Sequence, residues 1–502
     1  MQIVTDRRSE AGRPTTVAND GYLLSVDAGT TTVRAVLFDL GGAPIVEARC
    51  EPPVYHPQPT WAEIDADAHW RAVAAMIRQV LQRSGVPAGR VLGVGLSGLM
   101  HAMVPLGDAG NVLARAMLWM DQRCAPQAEW MVREHGAAIA AILGGAYVST
   151  TPSAPKLRWL AEHEPDLVRR TAVFLCVKDF LRFRLTGILA TDPSDAGGTS
   201  LYDRQRGAWS PALLDIVGLS LAKMPPILDS AQVAGAVTED ASRETGLAVG
   251  TPVAVGGGDV ECTLIGAGCR STGRACLYLG TAAWFSMPRS RGKAFGVTAT
   301  TGASLKWLVG LLGGGASGSS DEGYAELVSQ AECVPRGAKG LLFLPHLMGE
   351  RGPQPDPRAK GVFFGLTLTH SRPEMVRAVL EGCALHLRSI LDQLAEQRAP
   401  ELVAVGGVTR SVLWRGIIAD VTGATLLLPR VVEAGALGAA ILAGVGVGIF
   451  ADVPDAVAKL VRIVGRREAD ASNHAFYDQL YRVYLELEQR VAPLYGQLPV
   501  EG

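Results

Sequence analysis

The chain has no surplus of either charge. Its 47 Lys and Arg against 49 Asp and Glu leave a formal net charge of −2, which removes the electrostatic case for nucleic acid or an anionic membrane as partner. Charged residues make up only 19% and apolar residues 48%, the balance of a globular protein with a large buried interior. The eight cysteines (50, 124, 176, 262, 269, 276, 333 and 383) form no C-x-x-C pair and no zinc spacing. They are expected as buried thiols of a cytoplasmic protein. Residues 1–20 lack an apolar signal core and are broken by Arg7, Arg8, Arg13 and Pro14, so a disordered extension is expected there. The longest uncharged apolar stretch, Ala434 to Ala451, carries Gly435, Gly438, Gly444, Gly446 and Gly448 without a basic flank or aromatic belt. It reads as a buried helix followed by a loop, not a membrane span.

What is present begins with Tyr22 to Asp39, YLLSVDAGTTTVRAVLFD. Two apolar runs flank a Gly-Thr turn, which predicts a hairpin, and Ile45 to Cys50 adds a third antiparallel strand. Gly29 lets the backbone approach a ligand, and the turn amides with the hydroxyls of Thr30 and Thr31 can cradle phosphate. Asp27, at a strand end, can hold Mg²⁺ through water. Arg34 is expected to pair with a carboxylate rather than with phosphate. The pattern recurs at Ala275 to Ser286, around Gly280 and Thr281, and suggests an internal duplication. A third glycine turn, Gly406-Gly407, follows the strand Leu402 to Val405 and opens a helix over 411–422. Val253 to Val255 leads into Gly256-Gly257-Gly258-Asp259, where an exposed carboxylate is expected. Met100 and His101 end another strand, and Trp119 and Asp121 share a loop. Helices are expected over 152–164, 178–185, 373–396, 434–443 and 473–491, with a small-residue loop over 191–200.

Three motif matches are rejected. Gly93 to Gly98 and the loop Gly313 to Ser320 fit G-x-G-x-x-G without the helix a dinucleotide site needs. Gly268 and Gly273 have P-loop spacing, but Arg274-Ala275 replaces Lys-Ser/Thr. At 502 residues the chain exceeds one ordinary core, so two domains are expected.

From Tyr22 to Gly444 the sequence resembles the FGGY-family carbohydrate kinases, through DAGTTTVR from Asp27, SGLMH from Ser97, APKLRWLAEHEP from Ala154, KDFLRFRLTG from Lys178, GGGD ending at Asp259, LGT from Leu279 and GVFFGLTLTHSRPEMVRAVLEG from Gly361. Within the family the likeness is to xylulokinases. The resemblance implies an α/β fold of two actin-like ATPase (ribonuclease H-like) domains around a cleft. An N-terminal sugar-binding domain would span 21–262 and a C-terminal nucleotide-binding domain 263–502. It implies ATP and Mg²⁺ as cofactors, a small sugar or polyol as substrate, and a homodimer. Asp259 would be the base that takes the hydroxyl proton. Asp27 would lie near Mg²⁺, with Gly29, Thr30, Thr31, Gly280 and Thr281 in the phosphate turns and Gly406 and Gly407 against the nucleoside. Met100, His101, Trp119 and Asp121 would line the sugar pocket.

The chain departs from the xylulokinase pattern at Ala102 and Met120, which bear on the sugar pocket, and at Val408, which bears on the nucleotide site. Thr151 and Gly416 also differ. A kinase for another polyol, ketose or sugar acid (erythritol, ribulose, gluconate) is the neighbouring reading. A silent actin-like ATP-binding protein is the reading from another class, and it leaves Asp259 and His101 without a role.

Overall fold

The computed structural model describes residues 21–145, 148–288, 293–312, 321–352, 355–394 and 401–498. The expectations for residues 1–20 and 313–320 lie outside them.

The expected hairpin forms. β1 (Tyr22–Ala28) pairs antiparallel with β2 (Val33–Asp39), Asp27 opposite Arg34, and β2 pairs with β3 (Pro44–Cys50). Arg34 bonds Glu47 at 2.9 Å, as its pairing expectation required. Helix α1 (Ala66–Ser84) is capped by Asp65, whose carboxylate accepts the Ala68 amide, and ends at Gly85 in a left-handed turn. β4 (Val91–Gly98) lies parallel to β1. Helices α2 (Ser153–His163), α3 (Val177–Thr186) and α4 (Pro193–Gly198) follow. Then come β5 (Val233–Ala236), β6 (Pro252–Ala254) and α5 (Asp259–Gly266). The sheet runs β5-β6-β4-β1-β2-β3, with β6 parallel to β4 and β5 antiparallel to β6. Its apolar residues, with Trp70, Val73 and Ile77 of α1, make one core.

The second half repeats this plan. β7 (Ala275–Leu279), β8 (Ala283–Pro288) and β9 (Lys293–Val297) form an antiparallel meander. After α6 (Arg372–Leu394), β10 (Glu401–Val405) pairs parallel with β7. α7 (Val412–Thr422) leads to β11 (Thr425–Pro429), parallel to β10. The chain continues through α8 (Ala434–Gly446) to β12 (Ile463–Arg467), antiparallel to β11, and the long helix α9 (Ala471–Tyr495). The order β9-β8-β7-β10-β11-β12 has the same strand directions, position by position, as β3-β2-β1-β4-β6-β5. The duplication expected from two Gly-Thr turns is a duplication of whole sheets.

Two compact units result. One holds the chain up to Gly266 together with Ala434–Leu460, the other Ala267–Glu433 with Val461 onward. The first therefore ends at 266 rather than 262 and includes α8, which lies on α5, β4 and β1. That contact is possible because glycine lines both sides. A Cβ at Gly438 would meet the Cys262 carbonyl, one at Gly266 the Ala434 carbonyl, and one at Gly95 the Ala439 carbonyl. The glycines of the rejected G-x-G-x-x-G are thus packing residues. Among the described residues no helix is long and apolar enough to cross a membrane.

Two expectations are corrected. Residues 193–198 are helix α4, not loop, because Asp192 accepts the amides of Ser194 and Asp195 and Pro193 opens the turn. All eight cysteines are free thiols, but Cys333 is exposed, in the turn after the helix ending at Glu332.

Candidate active site

The parallel strands β1 and β4 end side by side, Asp27 beside Ser97, and the Leu99 amide donates to the Ala28 carbonyl at 2.9 Å. Carboxyl ends of adjacent parallel strands are where open α/β sheets bind ligands. The Gly29 amide donates to Thr32 O at 2.9 Å and closes the turn, which leaves Thr31 exposed. The Thr30 hydroxyl accepts the Trp119 indole N–H at 2.9 Å. Its own O–H stays available to donate. Asp27 is partly buried, and no described Lys, Arg or His pairs with it. The N-terminus of α8 leaves room over it: a Cβ on Gly435 would come only to 3.4 Å from Asp27 Oδ2.

Asp259 opens α5 and is partly buried rather than exposed as expected, because the chain reaches it along Gly257 and Gly258, hydrogen-bonded beside Ser97 and Gly98 of β4. It accepts the Val260 amide at 2.8 Å, which favours the carboxylate. Burial, and then the neighbouring Asp27, outweigh that and push its carboxyl up to about 7. A carboxylate near neutrality can both take and hold a proton at working pH.

Met100 and His101 lie against the same backbone. A Cβ on Gly258 would fall 2.7 Å from Met100 Cγ, and one on Gly198 would fall 3.2 Å from His101 Cε1. His101 adopts φ 71°, a conformation that non-glycine residues rarely hold without support. The support is a 2.7 Å hydrogen bond from Nδ1 to Gly198 O and one from Ser153 Oγ to His101 O at 3.1 Å. A carbonyl only accepts, so Nδ1 carries the proton, and in the neutral ring Nε2 is an acceptor.

Asp121 is placed differently from its expected neighbours. Its carboxylate is fully buried and clamped by Arg123, with Nε at 2.9 Å from Oδ1 and Nη2 at 2.7 Å from Oδ2. It also accepts the Ala62 amide at 2.7 Å. Arg123 in turn bonds Glu63 at 2.7 Å and lies 3.5 Å over the Trp61 ring. One departure is absorbed by packing, since Ala102 is fully buried, whereas Met120 is only partly buried against the core beneath the sheet. Lys156, expected to serve its helix, donates to the carbonyls of Thr150, Thr151 and Pro152.

Sequence reasoning passed over a sealed charge cluster beneath these residues. Lys178, Asp179, Arg182, Asp192 and Asp195 are all fully buried. Lys178 Nζ lies 2.5 Å from Asp179, 3.2 Å from Asp192 and 3.4 Å from Asp195, and Arg182 bonds Asp179 at 2.7 Å. Three carboxylates face two cations, so one proton balances the set. Burial and the other carboxylates hold Asp195 well above the usual carboxylate range. Ser194, bonded to Asp192, accepts the Gly258 amide at 2.8 Å and so ties the cluster to the backbone before Asp259. The signal was present in KDF and TDPSD, charges set among apolar residues.

In the other unit the two remaining glycine turns touch. The Gly280 amide donates to Ala282 O, and the amides of Thr301 and Ala303 donate to Thr281 O, at 2.9 to 3.0 Å. Gly406, at φ 96°, sits where a Cβ would press on Leu279 O, and Gly407 and Thr281 are exposed. Val408 is buried in that unit's core. Asp27, Thr30, Trp119, Asp259, Met100 and His101 therefore gather in the first unit, and Gly280, Thr281, Gly406 and Gly407 in the second.

Comparison with known proteins identifies the family. Residues 22–266 match the N-terminal domain of the FGGY family of carbohydrate kinases, and residues 283–447 match its C-terminal domain. The xylulose kinase of Escherichia coli (strain K12) is 30% identical over 493 residues, covering 94% of this chain and 99% of that one. The xylulose kinase of Bacillus subtilis (strain 168) is 29% identical over 484 residues, covering 92% and 96%. Among solved structures, a xylulose kinase from Brucella ovis superposes with TM-score 0.80 at 29% identity, covering 94% of this chain and all of that one. A gluconate kinase from Lactobacillus acidophilus shares the fold at TM-score 0.80 and 24% identity, covering 95% and 99%.

Proposed function

The chain belongs to the FGGY family of carbohydrate kinases, ATP-dependent phosphotransferases with a two-domain actin-like fold, and from that premise we propose that it phosphorylates a hydroxyl of a small ketose, a pentulose such as xylulose. The observation that carries the reading is Asp259, raised to about 7 at the start of α5 and flanked by Met100 through Gly258. In this reading Asp259 takes the hydroxyl proton as the phosphoryl group arrives. His101 Nε2 accepts a second sugar hydroxyl. Trp119, fixed by Thr30, forms a wall of the pocket, and Met100 forms its floor. Asp121 acts through Arg123 by holding the Trp119 loop rather than by touching sugar.

Thr30, Thr31 and Gly29 receive the transferring phosphate, and Gly280, Thr281, Gly406 and Gly407 bind the rest of ATP. The residues fit a hydrated Mg²⁺: Asp27 is a partly buried carboxylate without a described cationic partner, beside a second carboxylate. Such an ion, when bound, neutralises phosphate charge. Asp27 would hold its water shell, and Asp259 would remain free for the proton.

The burial of Ala102 removes one departure from the pocket and supports a ketose, while the partly buried Met120, next to Trp119, is the departure that bears on the sugar. Coupled ADP-release assays across pentuloses, hexuloses, polyols and sugar acids test the substrate. Turnover is expected to be highest with a pentulose. A preference of tenfold or more for erythritol or gluconate would replace the ketose reading. Absence of ADP release with every compound would favour the silent ATP-binding protein.

A further inference from the structure

Far along the sequence from these residues, the second unit buries two histidines and two glutamates against one another. His346 and Glu350 lie in the segment after the short strand Leu342–Leu344, His386 on α6 and Glu488 on α9. Glu350 Oε2 is 3.0 Å from His346 Nδ1 and 2.7 Å from His386 Nε2, and Glu488 Oε1 is 3.0 Å from His346 Nε2. One donor atom each from His346, His386 and Glu488 lie within 4.8 Å of one another. Both histidines are about 95% buried or more. Nothing in the phosphotransfer reading uses any of the four.

Hydrogen bonding leaves this set incomplete. His386 Nδ1 faces Ser389 Oγ at 3.4 Å, and that hydroxyl already donates to the His386 carbonyl at 2.8 Å. Ser389 Oγ can therefore only accept from Nδ1, which places the His386 proton there and leaves a lone pair on Nε2. That lone pair lies 2.7 Å from a carboxylate oxygen, in a direction that makes no hydrogen bond. Two electron-rich atoms so close and so buried need a positive charge between them, which a proton or a metal ion supplies. A second buried polar atom without a partner, the Tyr484 hydroxyl, sits one helical turn before Glu488.

We propose that His346, His386 and Glu488 form a structural zinc site that ties α6 and α9 to the segment around His346, with Glu350 beside both imidazoles as an outer carboxylate. Imidazole with carboxylate is a donor set that suits Zn²⁺, whereas Mg²⁺ prefers an all-oxygen shell. Two carboxylates match the charge of the ion. Tetrahedral zinc with bonds of about 2.0–2.2 Å sets its donors about 3.3–3.6 Å apart, inside the 4.8 Å that bounds one donor atom each of His346, His386 and Glu488. The Nδ1–H of His386 on Ser389 is the kind of outer partner that fixes a ligating imidazole. The inference is independent of the sugar and of the kinase assignment.

The test uses the full chain. Protein stripped with chelator, reloaded with zinc alone and gel-filtered should retain about one zinc per chain by elemental analysis. His386→Ala and the milder Glu488→Gln should each retain less than a tenth of that. Cobalt in place of zinc should give the visible absorption of a tetrahedral ion in the wild type and lose it in both variants. Zinc should raise the thermal midpoint of the wild type and leave that of Glu488→Gln unmoved, a readout that holds even if His386→Ala folds poorly. Reloaded wild type that keeps no zinc, or zinc kept equally by Glu488→Gln, overturns the proposal.

Discussion

The proposed base, Asp259, sits where its ionised form is disfavoured. Its carboxyl is pushed up to about 7 by burial first and by Asp27 second. Because the base works ionised, log kcat/KM should rise with unit slope below about pH 7 and level off above it, measured in the free enzyme's pH profile. Magnesium beside Asp27 should move that limb to lower pH. Asp259→Asn should lower kcat by roughly 10²–10⁴-fold while ATP still binds. The same change should make the protein sturdier. A carboxyl whose folded value lies above its unfolded value loses stability as pH rises from one to the other. Asp259→Asn should therefore leave stability unaltered near pH 3 and raise it by up to about 4 kcal/mol at pH 8, read from denaturant melts at both pH values. A variant inactive but no more stable at pH 8 would refute the strained-base account. Asp121 makes the opposite contrast. Asp121→Ala strands the Ala62 amide and leaves the buried Arg123 with Glu63 as its remaining carboxylate, and a loss of about 3 kcal/mol is expected in the same melts. A raised KM with stability intact would return Asp121 to the sugar. Both carboxylates stood out in the sequence. Their difference in role depends on Arg123 and Ala62, and only folding brings Ala62 to Asp121.

At the scale of elements, regular periodicity was readable and exceptions held by tertiary contact were not. The hairpin, the meander and helices α2, α3, α6, α7, α8 and α9 stand near their expected places, because apolar spacing and glycine stops report on a single segment. Helix α4 reads as a loop in sequence because its PSDAGG is poor in helix formers. Its stability comes from Asp192 and the buried ions around it. Glycine-rich α8 shows the converse, a segment whose composition was read as burial but whose partners could not be read. Its glycines let it approach the carbonyls of α5 and β4. Gly438→Ala should force α8 away from Cys262 and cost about 1–3 kcal/mol or more in thermal unfolding. Gly310→Ala is the control. It lies in the helix Gly302–Leu312 with no atom within 4 Å of a new Cβ, so a gain of up to about 1 kcal/mol is expected from helix propensity. Equal losses at both sites would mean that close approach is not what these positions require.

The duplicated sheets were legible in outline from two Gly-Thr turns, but the exchange of α8 was not, because a sequence shows order and not which core a helix joins. That exchange makes a prediction about the whole molecule. The first unit needs Ala434–Leu460 from the far end of the chain. Ten of the α8 residues, from Ala434 to Gly444, are buried, and the helix covers β1, β4 and α5. A fragment of residues 21–266 alone would leave that apolar face in water, and an exposed patch of this kind leads to aggregation or a loosely packed state. It should bind a hydrophobic dye and melt without a cooperative transition. Joining residues 434–460 to its end through a flexible linker should restore a single sharp transition, since the missing helix is then present at high effective concentration. Cooperative melting of the 21–266 fragment alone, at the temperature of the linked fragment, would show that α8 is an ornament on a self-sufficient unit. The proposed base would then owe its setting to its own half of the chain. If the linked fragment alone is cooperative, the ground beneath Asp27 and Asp259 is assembled from both ends of the sequence, and no cut near residue 266 can separate a working sugar-binding half.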